Sequence, residues 1–153
     1  MVILRSGTMT LQVDYLVSGA GAMGMAFTDV ILNESDKSVA IVDRRSAPGG
    51  HWNDAYPFVR LHQPSAFYGV NSRALGDDLI DKVGWNKGLY ELASKGEVCA
   101  YFDRVMREQF LPSRHIHYFP NCEVNQAGEI VSLVTGENIQ IESTKQVNAG
   151  YMQ

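Results

Sequence analysis

The chain contains no apolar run of about 18 residues, the length a helix needs to cross a bilayer, so no transmembrane helix is expected. Met1-Val2-Ile3-Leu4 is too short for a secretory signal, and Asp14 interrupts the apolar stretch that follows. Nor is there a dense Lys/Arg tract: 13 basic residues face 17 acidic ones, for a formal net charge of -4. That balance argues against nucleic acid or a membrane surface as a partner. Only two cysteines occur, Cys99 and Cys122, with no Cys-x-x-Cys and no histidine pair beside them. They read as reduced thiols of a cytoplasmic protein rather than as a disulfide framework. Ser18, Ser46, Ser65 and Ser72 all lack the Gly-x-Ser-x-Gly elbow of a hydrolase. Asp43, Asp54, Asp77 and Asp78 are not paired for acid–base work, so no catalytic residue is assigned. His115 and His117 share one face of an expected strand without a third ligand nearby, so no metal site is expected either.

What is present fits one globular domain spanning residues 1–153, with 45% hydrophobic and 20% charged residues. Its most informative stretch is Gly19-Ala20-Gly21-Ala22-Met23-Gly24. The segment stands between a strand-like run, Leu11 to Ser18, and a helix-like run, Ala22 to Asn33. In a Rossmann-type unit Gly19 permits a tight turn, Gly21 lets a pyrophosphate approach the backbone, and Gly24 lets helix pack on strand. The helix N-terminus then faces the anion. A second buried strand, Ser38 to Asp43, ends in a carboxylate about 20 residues past the glycines, where a ribose-hydroxyl acceptor is expected. Strand, helix, strand and terminal acid together point to a dinucleotide and to an α/β, Rossmann-like fold.

Beyond Asp43 the chain reads as irregular to about Asp77, with aromatic residues that argue for a loop wrapped onto something. Gly96 to Phe110 has apolar residues at helical spacing and is expected to be an amphipathic helix ending before Pro112. His115 to Phe119 reads as a third strand. The alternating runs Gly128–Val134 and Asn138–Ser143 read as a β-hairpin.

Arg44-Arg45-Ser46-Ala47-Pro48-Gly49-Gly50-His51-Trp52 resembles the loop after the second strand in flavin-dependent monooxygenases and related FAD/NAD(P) oxidoreductases. The resemblance continues through Tyr56-Pro57, Arg60 and Gly69-Val70-Asn71-Ser72, and covers about residues 10 to 151. It implies FAD lying across this first unit, with Gly49 and Gly50 passing under the cofactor and Trp52 offering a flat wall to the flavin or ribityl region. Arg60 and His62 stand near that loop. Val124 matches the residue whose backbone meets the adenine edge, and a small antiparallel meander is implied after it. Val147-Asn148-Ala149-Gly150 stands where the family carries Ala-Thr-Gly, without the Thr.

The resemblance therefore assigns FAD to Gly19, Gly21, Ala22, Met23, Gly24, Asp43, Arg44, Gly50, His51, Trp52 and Val124. The second Gly-x-Gly-x-x-Gly that would hold NADPH is absent, as is the later Gly-Asp segment that closes on the flavin. The expectation is thus the FAD-binding part of an oxidoreductase, an incomplete domain. NADPH would require a second domain, and a complementing chain or a homo-oligomer would complete the site. An NAD(P)-dependent dehydrogenase domain, with Arg44 and Arg45 on a 2′-phosphate, is an alternative that Asp43 opposes. A non-catalytic nucleotide-binding or interaction module is another.

Overall fold

A computed structural model of the protein describes residues 2–5 and 8–150. At its centre lie β2 (Thr8–Ser18) and β3 (Val39–Asp43), parallel and in register from Tyr15↔Val39 to Ser18↔Val42. The thirteen-residue helix α1 (Ala22–Glu34) connects them, making a βαβ unit. β6 (Ile116–Pro120) continues the parallel sheet beyond β3, and β10 (Ile141–Asn148) returns to pair with β2 from Ile141↔Leu11 to Asn148↔Ser18. β1 (Val2–Arg5) adds an antiparallel pairing along the start of β2. This is an α/β, Rossmann-like sheet with a small antiparallel meander.

All five residues of β3 are buried, as expected for a parallel strand covered on both faces. Alternation sorts them by side. Val39 and Ile41 join Val17, Met25 and the face of α2 (Lys95–Val105) that carries Val98, Tyr101, Phe102 and Val105. Ala40 and Val42 join Val13 and Leu16 against Cys122 and Ile130 of the meander. Ser94 caps α2 in a reciprocal box: the Glu97 amide donates to Ser94 Oγ at 3.4 Å, and the Ser94 amide donates to Glu97 Oε2 at 2.7 Å.

Two expectations about elements are corrected. The helix does not stop cleanly before Pro112: α2 ends at Val105, widens into a π-turn over Met106–Phe110, and passes into a 3-10 turn, Leu111–Ser113. Pro112 lies at the start of that short turn, where its missing N–H breaks no helical bond, and Arg114 at φ +62° ends the path. The segment Asn138–Ser143 is not one hairpin strand. β7 (Cys122–Val124), β8 (Ile130–Ser132) and β9 (Asn138–Ile139) form the meander, but Ile141 to Ser143 belong to β10. The switch comes at Gln140, whose carbonyl accepts the Leu11 amide at 3.0 Å and turns the chain onto β2.

The irregular stretch after β3 is ordered by the core. It contains a 3-10 turn at Gly50–Asp54, another at Ser65–Phe67, and a tiny hairpin of β4 (Gly69–Val70) and β5 (Arg73–Ala74). The Tyr101 hydroxyl accepts the Val70 amide at 2.8 Å and donates to the Arg73 carbonyl at 2.6 Å. The buried Asp29 of α1 accepts both the amide, at 3.0 Å, and the hydroxyl of Ser72. Of the aromatic residues in this stretch, Trp52 and Tyr68 pack inward, while Tyr56, Phe58 and Phe67 remain exposed. Among the described residues, no helix is long and apolar enough to cross a membrane.

Candidate functional site

β2, β3 and β10 end at one level, and α1 begins just above them. A cleft of about 560 Å³ opens there, lined among others by Ser18, Gly19, Asp43, Arg44, His51, Val124 and Asn148. Such crevices beyond the carboxyl ends of parallel strands are where open α/β sheets take ligands.

The glycines at its edge have different reasons to be glycine. Gly19 turns at φ +112°, donates its amide to the Val42 carbonyl at 2.8 Å, and has the Ala149 oxygen 3.0 Å from where a Cβ would sit. Gly24 touches that turn from within α1: its Cβ would lie 1.9 Å from the Gly19 carbonyl oxygen. Gly21, the N-cap of α1, has an ordinary φ of -78°, and a Cβ there would meet Gly50 Cα at 3.5 Å, a normal contact. The fold demands glycine at 19 and 24, but not at 21. The fold also favours glycine at 50. At φ +56° it rests on the α1 N-terminus, where its Cβ would lie 2.9 Å from Gly21 Cα.

Asp43 is 6% exposed and already occupied. Its Oδ2 accepts the Ala20 amide at 2.6 Å and its Oδ1 accepts the Arg45 amide at 2.8 Å. The carboxylate thus clamps the glycine turn to the end of β3, a structural duty absent from the sequence reading. Each oxygen keeps a second lone pair for another donor. Arg44 Nε lies 3.8 Å from Glu123 Oε2, and Arg45 is paired with Asp54. That partner holds the Asp54 carboxyl below, and the Arg45 guanidinium above, its ordinary value.

The remaining expected site residues separate. His51 lines the cleft and stacks on Trp52, with ring centroids 5.6 Å apart. Trp52 itself is 7% exposed, packed in the core with its indole N–H donating to the Tyr68 hydroxyl at 2.6 Å; it supports His51 from behind rather than lining the cleft. Val124 lines the cleft from β7. Ala22 is half-buried, and Met23 stands 75% exposed on the first turn of α1. Arg60 donates to the Leu92 carbonyl at 2.9 Å, away from the cleft. Sequence reasoning missed Glu123 and Cys122, which line the cleft beside Val124, and Asn148. Burial raises the Cys122 thiol above its usual range. The signal for Asn148 was the returning strand, since the parallel register sets it opposite Ser18.

The fold is the Rossmann-like architecture also seen in a flavin-containing monooxygenase and a bacillithiol disulfide reductase. A flavin-containing monooxygenase from Stenotrophomonas maltophilia superposes with a TM-score of 0.65 at 18% identity, over 92% of this chain and 38% of its own. The bacillithiol disulfide reductase of Staphylococcus aureus superposes with a TM-score of 0.62 at 10% identity, over 93% of this chain and 39% of its own. In sequence, the chain is 55% identical over 144 residues to the uncharacterized protein Rv2000 of Mycobacterium tuberculosis. That match takes in 94% of this chain and 27% of the mycobacterial protein, so the chain spans about a quarter of that relative's length. No protein-family model matches.

Proposed function

We propose that this chain holds the ADP half of FAD in a flavin-dependent oxidoreductase of the monooxygenase kind. The observation that carries the reading is the cleft beyond the carboxyl ends of β2, β3 and β10, bordered by Gly19 of the glycine turn and by the buried Asp43 at the end of β3. The first amides of α1, from Gly21 to Met23, would take the pyrophosphate, since they lack partners within the helix and sit at its positive end. Asp43 would accept from the ribose, Val124 would border the adenine, and Arg44 and His51 would form the rim. Both arginines beside Asp43 already face carboxylates, which favours an unphosphorylated ribose over that of NADP. When bound, the flavin supplies the hydride and oxygen chemistry, while these residues position the cofactor. NADPH oxidation and turnover belong to a larger assembly with a second dinucleotide unit.

Calorimetric titration of the chain with FAD, ADP, NAD and NADP tests this. FAD and ADP should bind with similar enthalpies and more tightly than NADP. Tighter binding of NADP than of ADP would overturn the assignment, and so would the absence of binding by any adenine nucleotide.

A further inference from the structure

Between Leu79 and Glu91 the chain projects an ordered arm. The Asp81 amide donates to the Leu89 carbonyl at 2.9 Å, the Gly88 amide to the Asp81 carbonyl at 2.8 Å, and the Glu91 amide to the Leu79 carbonyl at 2.9 Å. Ile80 and Tyr90 form an antiparallel bridge, and the Asn86 amide group ties Asp81 Oδ2, at 2.8 Å, to the Tyr90 carbonyl, at 2.7 Å. At its foot the Glu91 carbonyl accepts both the amide and the hydroxyl of Ser65, at 3.0 and 2.9 Å.

This arm turns its apolar side chains outward. Val83 is 81% exposed and Trp85 108%, and Leu79, Ile80, Leu89 and Tyr90 are exposed as well. Trp85 therefore packs no interior of this domain, and the hydrogen bonding that holds it out is specific. Apolar side chains grouped like this, with Asp78, Lys82 and Lys87 among them, have the composition of an interface core with a charged rim. Because the arm is already ordered, docking onto it requires little further loss of chain entropy.

A segment 55% identical to nearly all of this chain makes up only 27% of the mycobacterial protein, so most of that polypeptide lies outside the shared domain. We propose that the Leu79–Tyr90 arm is the docking surface for a polypeptide of that kind, the part of the longer relatives lying outside the matched segment, with Trp85 and Val83 as the central anchors. The inference stands apart from the cofactor, since the arm and the cleft share no lining residue.

The test expresses the part of the mycobacterial relative outside the matched segment as a separate polypeptide and titrates it with the full 153-residue chain. The chain has two tryptophans and Trp52 is buried, so docking should shift Trp85 emission to the blue and protect it from acrylamide. Trp85→Ala with Val83→Ser should weaken the complex by about thirtyfold or more, the effect of losing a central aromatic anchor, without changing the thermal midpoint of the chain alone. An unchanged affinity would overturn the proposal. So would self-association of this chain that the same substitutions abolish, since the occupant would then be a second copy. Should the two polypeptides fail to associate, hydroxyl-radical footprinting of the intact relative decides: protection of the arm's counterpart supports the docking surface, and labelling as fast as in this chain overturns it.

Discussion

Substituting alanine at two glycines about 4.5 Å of helix rise apart, Gly24 and Gly21, should separate packing from ligand binding. A Cβ on Gly24 would stand 1.9 Å from the Gly19 oxygen and 3.4 Å from Ala149 Cβ. Restoring ordinary contact requires the helix to retreat by about 1.5 Å. The turn cannot yield instead, because Gly19 is bonded to Val42 and backed by the Ala149 carbonyl. Overpacking of this kind costs about 3 kcal/mol, and the better helix propensity of alanine returns up to about 1 kcal/mol. Gly24→Ala should therefore lose about 2 kcal/mol, or about 4–8 °C in Tm for a domain of this size. Gly21→Ala meets only a normal contact, so its Tm should stay within about 4 °C of the parent. Its affinity for FAD should nonetheless fall at least about tenfold, because in this fingerprint the pyrophosphate comes closest to the backbone at the second glycine. Circular dichroism without ligand and calorimetry with FAD measure the two effects. A Gly21 variant as unstable as the Gly24 variant would make Gly21 a packing residue. One that folds and binds FAD as tightly as the parent would refute the cleft assignment.

Asp43→Ala should destabilise the ligand-free protein by about 2–3 kcal/mol in urea titration, since the buried Ala20 amide and the Arg45 amide both lose their acceptor. Asp43→Asn should cost less, and an unchanged urea midpoint in the alanine variant would show that the clamp contributes nothing. Acid sensitivity should trace in part to Asp14, whose carboxyl is lowered to about 2, chiefly by the Ser38 amide and then by the Lys37 ammonium. A depressed folded-state value means that this stabilisation is complete above the ordinary carboxylate range and disappears as pH falls through about 4 toward 2. Asp14→Asn should flatten the stability curve in that window; parallel curves for variant and parent would contradict it.

Much of the fold was legible because its signals are local. The glycine motif, the apolar run of β2 and the buried run of β3 each announce themselves within a dozen residues, and α1 follows from where they stop. What stayed hidden depends on partners distant in sequence. The clamp that Asp43 places on the Ala20 amide, and the contact of Gly50 with Gly21, join residues more than 20 positions apart and leave no local trace in the sequence. Trp52 reads as a wall for the flavin, and its burial and the indole N–H donated to Tyr68 depend on a residue 16 positions away. The division of Asn138–Ser143 between meander and sheet is settled by the Leu11 amide, which no periodicity in that segment encodes.

The pairing of β10 with β2 has a consequence for synthesis. Gln12 and Glu142, bonded through their side chains at 3.1 Å across these strands, are separated by 130 positions. At about 5–20 residues per second a ribosome needs roughly 7–26 s between making the first and the second. Throughout that interval the β10-facing edge of β2, an apolar strand containing Leu11, Val13, Leu16 and Val17, waits without its partner. An open edge of this composition is a template for any other extended chain. The nascent sheet, before its returning strand emerges, is therefore the stage at which mispairing has its best opportunity.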